Sequence, residues 1–258
     1  MYTSTMIALL VLSLIWFRFY QKRNKINYLY LYSSCGLFIF FGWIEFASLN
    51  IKDVIPGWIF NIKHVTGIMI GVVPLEDVLF APVMALISFL LYIFTDKYID
   101  YTSTEIGKVS TITGLFLLTF FFFVFGNYFS QYSAIKMVLG MGGMIYAWDK
   151  LDLKHFYSFT GIYIIGALAW DLWANMTEQW LYRVDPTLSS FQAEMFIKYG
   201  KQYSNVFMNY SWSWVKIGNA WLPIEIMPYY YINGPVFIYG ILAILRKIFP
   251  QHQQEKLL

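Results

Sequence analysis

Apolar residues along this chain gather in stretches of about 18 to 29, long enough to cross a hydrocarbon core of about 30 Å as helices. Between them lie short charged connectors. The pattern predicts an all-α fold, a polytopic membrane bundle of seven transmembrane helices at roughly 3–20, 29–50, 66–94, 109–129, 131–148, 156–177 and 216–245. Two further segments are too apolar for free loops. Residues 51–65, with Pro56, Gly57 and Trp58, should lie at headgroup level, and in 178–215 the helical recurrence of Phe191, Met195, Phe196 and Tyr199 predicts an interfacial amphipathic helix.

Composition agrees with a lipid solvent. Of 258 residues, 59% are hydrophobic and only 13% charged, where a soluble domain carries about a quarter. One membrane domain over 1–258 is expected, and the aromatic fraction of 21% exceeds what interfacial anchoring of a few helices needs. Net charge is +3, with basic residues at helix ends and no block of them, so nucleic acid is not an expected partner. With the N-terminus outside and the C-terminus inside, inner connectors receive Arg18, Lys22, Arg23, Lys25, Lys97, Lys108, Lys150, Lys154, Arg246, Lys247 and Lys256, eleven of the 18 Lys and Arg residues. The first apolar run follows no basic segment and is read as a retained helix rather than a cleaved signal. Cys35, the single cysteine, offers no disulfide or thiolate metal site within the chain.

A weak internal repeat organises the chain. Trp58 precedes Pro74 of VVPLEDVLF (72–80) by sixteen residues, as Phe207 precedes Pro223 of WLPIEIMPY (221–229). This suggests one half at about 1–100, a linking helix at about 105–130 and a second half at about 131–248.

The acids carry the chemistry. Glu76 and Asp77 are the only charges between Thr66 and Phe94, and Glu225 the only one between Ile217 and Leu245. Counted from the expected helix starts they would lie roughly 12 to 15 Å deep, near the midplane. A charge there is costly, so each is a functional hypothesis by default, and a carboxyl kept neutral can serve as a general acid. The plainer reading is hydrogen-bonded glue between helices. A proline two positions before each glutamate would free a carbonyl and open a polar notch. Glu45 in GWIEF (42–46) and Asp171 in AWDLWANMTEQW (169–180) are further candidates nearer helix ends.

Other chemistries lack their residues. A retinal Schiff base needs a lysine inside the last helix, and Lys216 sits only at its edge. Aspartate-rich diphosphate loops are missing, and GMGG (140–143) follows no strand, so its glycines are read as close helix packing. No metal site or cofactor is expected from the scattered His64, His155 and His252. The remaining alternative is a non-catalytic membrane protein, a proton-coupled transporter of small solutes or a binding partner subunit.

The segment WIFNIKHVTGIMIGVVPLEDVLF (58–80) resembles the signature of the membrane-embedded lycopene cyclases, which occur as paired small subunits or fused chains, through Trp58, Phe60, Asn61, Gly67, Pro74, Glu76, Asp77 and Phe80. WDLWANMTEQWLY (170–182) resembles the Trp-Asp element that precedes that signature. Here it falls in the other half, and Ile226 stands where the family usually has a second acid. The resemblance implies an isomerase that cyclises the end group of a lipid-soluble linear carotenoid without redox change, as a homo- or hetero-oligomer. It also implies Glu76, Asp77 and Glu225 as catalytic groups, and Trp58, Phe60, Asn61, Pro74, Phe80, Trp170, Asp171, Trp180, Phe207 and Pro223 as the substrate-binding set.

Overall fold

The computed structural model describes residues 2–23, 26–49, 59–61, 63–71, 73–97, 103–125, 128–183, 185–194, 196–197, 214–218, 220–223 and 231–249. Seven long helices run in order through them: α1 (Tyr2–Arg23), α2 (Tyr28–Leu49), α3 (Leu75–Lys97), α4 (Glu105–Phe125), α5 (Tyr128–Tyr146), α6 (Leu153–Met176) and α7 (Tyr231–Ile248). Four stretches are long and apolar enough to cross a membrane: Tyr2–Lys22, Leu75–Asp96, Glu105–Phe125 and Tyr231–Ile248.

Local signals start the helices. Asn27 caps α2, its Oδ1 accepting the Leu29 and Tyr30 N–H groups, and Asp152 caps α6 through Lys154 and His155. Helix α6 ends in a turn where the Gln179 N–H reaches the Ala174 carbonyl at 2.7 Å and the Glu178 N–H reaches Asn175 at 3.1 Å. Glu178 holds φ +53° there, a conformation glycine usually takes. The chain then turns into β4 (Trp180–Leu181), which pairs antiparallel with β1 (Ile59–Phe60).

Two expected helix starts are corrected. The helix placed from 66 begins at Leu75, after a ribbon of β2 (Met69–Ile70) and β3 (Val73–Pro74). The helix placed from 216 begins at Tyr231, after a ribbon of β5 (Trp214–Ile217) and β6 (Ala220–Pro223). Hydropathy alone joined each ribbon to its helix. Glycine and proline divide them: Gly71 and Gly218 hold φ +65° and +58° in the turns, and each closing strand ends on proline, which lacks the N–H a helix interior needs. Glu76 and Asp77 therefore occupy the first turn of α3 rather than its middle, where carboxylates suit the positive end of the helix dipole.

Proline does sit inside α3, at Pro82. Its missing N–H releases the carbonyl four residues back, and the indole of Trp43 on α2 donates to that Val78 oxygen at 3.3 Å. Helix α3 packs against α2, α1 and α6, and α7 against α5, α6 and α2. The α5–α7 contact is backbone to backbone: a Cβ on Gly140 would meet the Val236 carbonyl at 2.5 Å, and one on Gly143 the Gly240 carbonyl at 2.5 Å. GMGG thus does what its sequence suggested, letting two helices touch.

Candidate functional site

The chain entering α3 folds around its own acids. Gly67 at φ +84° turns Thr66 back toward the helix start, and the Thr66 N–H donates to Glu76 Oε1 at 2.6 Å. From α1, the Thr3 hydroxyl donates to the same oxygen at 2.6 Å, while the Tyr2 hydroxyl donates to Asp77 Oδ1 at 2.7 Å. Both acids are buried. The Glu76 carboxyl is asymmetric: Oε1 takes two donors, and Oε2 is buried with no hydrogen-bond partner among the described residues. A buried charge is costly, and a proton on Oε2 removes the charge while making that oxygen a donor.

Aromatic rings wall this corner. Tyr2 lies 5.7 Å edge-on from Trp180, 6.2 Å from Trp170 and 6.4 Å from Phe60, centroid to centroid. Phe80, one turn along α3, stacks on Trp170 at 5.5 Å. The β1–β4 pair brings Phe60 opposite Trp180, and Asn61 fastens that pair. Its side-chain N–H donates to the Glu178 carbonyl and its backbone N–H to Gln179, each at 2.9 Å.

Asp171, on α6, belongs to the same end and is 6% exposed. The hydroxyls of Tyr182 and Tyr231 both donate to its Oδ2, Tyr182 at 3.2 Å. Tyr182 and Tyr231 share one apolar cluster with Tyr2, Phe60 and Trp180. Residues from both expected halves therefore meet: Phe60, Asn61, Glu76, Asp77 and Phe80 from the first, Trp170, Asp171 and Trp180 from the second. Pro74 and Pro223 close strands. Trp58, Phe207 and Glu225 lie outside the described residues. Glu45 falls near the end of α2.

Sequence reading did not single out Tyr2, Thr3, Thr66, Tyr182 or Tyr231. Tyr2 and Thr3 are polar positions opening an otherwise apolar helix, a signal easily taken for fraying. Tyr231 opens α7 in the same way.

The opposite end of α3 holds a separate polar knot. His155 bonds to the Tyr92 carbonyl at 2.8 Å and to the Tyr239 hydroxyl at 3.1 Å, and Arg246 pairs with Asp96 at 2.7 Å. At 1.5 Å per residue, the length of α3 puts the knot roughly 30 Å from Glu76. Among the described residues, no group of three or more His, Cys, Asp or Glu is placed to hold a metal ion.

Residues 1–95 match the lycopene cyclase family. The match spans α1, α2, the β2–β3 ribbon and nearly all of α3, including both carboxyls and the Tyr2 and Thr3 that hold them. It is a likeness to lycopene cyclases over 95 of the 258 residues, and with the apolar helices it points to a membrane protein. No curated protein and no solved structure matches the chain. Trp170 and Trp180 lie beyond the matched residues, yet their rings pack directly on the matched segment through Tyr2 and Phe80, and Asp171 follows Trp170.

Proposed function

We propose that the protein is a membrane-embedded carotenoid cyclase, converting a linear lycopene-type end group into an ionone ring. The observation that carries this reading is the Glu76 carboxyl, buried beside aromatic rings with Oε1 accepting two hydrogen bonds and Oε2 bare. As a neutral acid, Glu76 gives its Oε2 proton to the terminal double bond of the substrate. The resulting tertiary cation is attacked by an internal alkene, which closes the ring and moves the positive charge onto it. Loss of a ring proton then restores neutrality, so substrate and product are isomers. Electron-rich faces of Trp170, Trp180 and Phe80 favour the passing cation. Asp77, fixed by Tyr2, shares or resupplies the proton of Glu76. Seven spans with the N-terminus outside, and Glu225 as the acid of the second half, complete the proposal.

The test is expression in a bacterium that accumulates lycopene, with the pigments separated by chromatography. The wild-type chain should yield monocyclic or bicyclic carotenoids without added flavin. Glu76→Gln should lower that yield by about 10² to 10⁴ while still inserting, the range for a positioned acid. Unchanged lycopene in membranes that contain folded wild-type protein would move the assignment to a binding or transport role.

A further inference from the structure

Acid-catalysed cyclisation needs a group to donate a proton and another to take one away, and the Glu76 corner accounts only for the donor. We infer that Asp171, positioned by Tyr231 and Tyr182, is the acceptor that removes the ring proton and so selects the type of ring; this rests on the cyclase reading above. The two buried acids contrast in their bonding. Glu76 Oε1 takes a backbone N–H and a threonine hydroxyl, whereas Asp171 takes two phenolic hydroxyls. Its Oδ2 receives both tyrosine hydroxyls, which suits a carboxylate that only accepts, and its Oδ1 takes neither hydroxyl.

Placement agrees with that division of labour. Asp171 follows Trp170, whose ring stacks on Phe80 and approaches Tyr2, the residue bonded to Asp77. The stacked rings of Trp170 and Phe80 thus join the acid end of α3 to the α6 segment that carries Asp171. Asn175 fixes the α6 backbone here, its side-chain N–H donating to the Asp171 carbonyl at 2.9 Å. The two tyrosines come from β4's exit and from the start of α7, so three separate segments aim one carboxylate.

The step balances. After closure the charge sits on a ring carbon with three kinds of neighbouring hydrogen: on the carbon bearing the polyene, on the ring methylene and on the methyl group. One such C–H bond breaks, its electron pair becomes the ring double bond, and the proton passes to Asp171. Glu76 has lost one proton and Asp171 has gained one, and exchange with water resets both. Which hydrogen leaves depends on where the carboxylate is held, so the tyrosines are positioning residues that set the double-bond position.

The experiment uses the full chain in lycopene-accumulating cells, with ring isomers quantified per folded protein. Asp171→Asn should reduce cyclised product by about 10² or more, and Asp171→Glu should recover part of it. Tyr231→Phe and Tyr182→Phe should keep more activity but change the proportions of ring isomers, a change that mere loss of stability would not produce. If Asp171→Asn does not fold, the isomer proportions in the two tyrosine variants decide. Rates within about threefold of wild type and unchanged isomers in the folded variants would overturn the assignment, as would an isomer shift from Glu225→Gln alone. A wild-type chain that forms no ring would instead remove the cyclase reading on which the inference stands.

Discussion

The hydroxyl of Tyr2 offers a measurement of how α1 and α3 hold the acid pair. Tyr2→Phe removes one oxygen and keeps the ring against Trp170, Trp180 and Phe60, so the lost contact is the 2.7 Å bond to Asp77 Oδ1. A hydrogen bond to a charged group contributes about 1.5 to 3 kcal/mol, against about 1 kcal/mol between neutral groups. Pairs between membrane helices average about 0.6 kcal/mol, with a maximum near 1.7 kcal/mol. Because both partners are buried, a coupling of about 1 to 1.7 kcal/mol is expected. The assay is a double-mutant cycle of Tyr2→Phe and Asp77→Asn, read as thermal unfolding of purified protein in detergent. Tyr2→Ala should cost about 3 to 5 kcal/mol by also emptying the aromatic corner. A coupling indistinguishable from zero, or equal losses for Tyr2→Phe and Tyr2→Ala, would refute the reasoning that this bond ties the first helix to the acids.

Three further outcomes are expected. Glu225→Gln should lower pigment cyclisation in lycopene-accumulating cells by about 10² or more if the second Pro-x-Glu element contributes an acid–base group, and activity within a few-fold of wild type would make that element architectural. Gly143→Ala would put a methyl 2.5 Å from the Gly240 carbonyl, so α5 and α7 must part by nearly 1 Å, and unfolding in detergent should show a loss of about 1 to 3 kcal/mol. Outside the spans, the Thr187 hydroxyl and, more weakly, the Trp221 indole hold the Asp185 carboxyl below its ordinary value. The stability this confers is present above the unfolded carboxylate range and is lost as pH falls through the depressed value. An acid titration of melting temperature should show the loss in wild type and a smaller one in Asp185→Asn.

How much the sequence disclosed depended on the distance between interacting residues. Helix existence was plain in runs such as 109–129, because twenty apolar residues have few alternatives in lipid. The starts of α3 and α7 were not, because Met69, Ile70, Val73 and Trp221, Leu222 are as apolar as the helices they precede. The left-handed glycines and closing prolines carried the boundary, and a reading weighted toward hydropathy passed over them. Glu76 and Asp77 stood out as an isolated pair, but their depth did not follow once the helix began later. The role of Trp170 and Trp180 beside Phe80 needed contacts across about a hundred positions of chain, which local pattern cannot supply. Tyr231 was hidden for the same reason, its partner Asp171 lying 60 residues earlier.

The contact between α5 and α7 also has a consequence for synthesis. Helix α7 supplies Tyr231 to the Asp171 end, Tyr239 to the His155 knot and Gly240 to the seam with α5. Until it leaves the ribosome, the earlier helices lack all three of these contacts. Chains that end before residue 231 should therefore remain open to protease, and maturation of the site should coincide with arrival of the last helix rather than accumulate helix by helix.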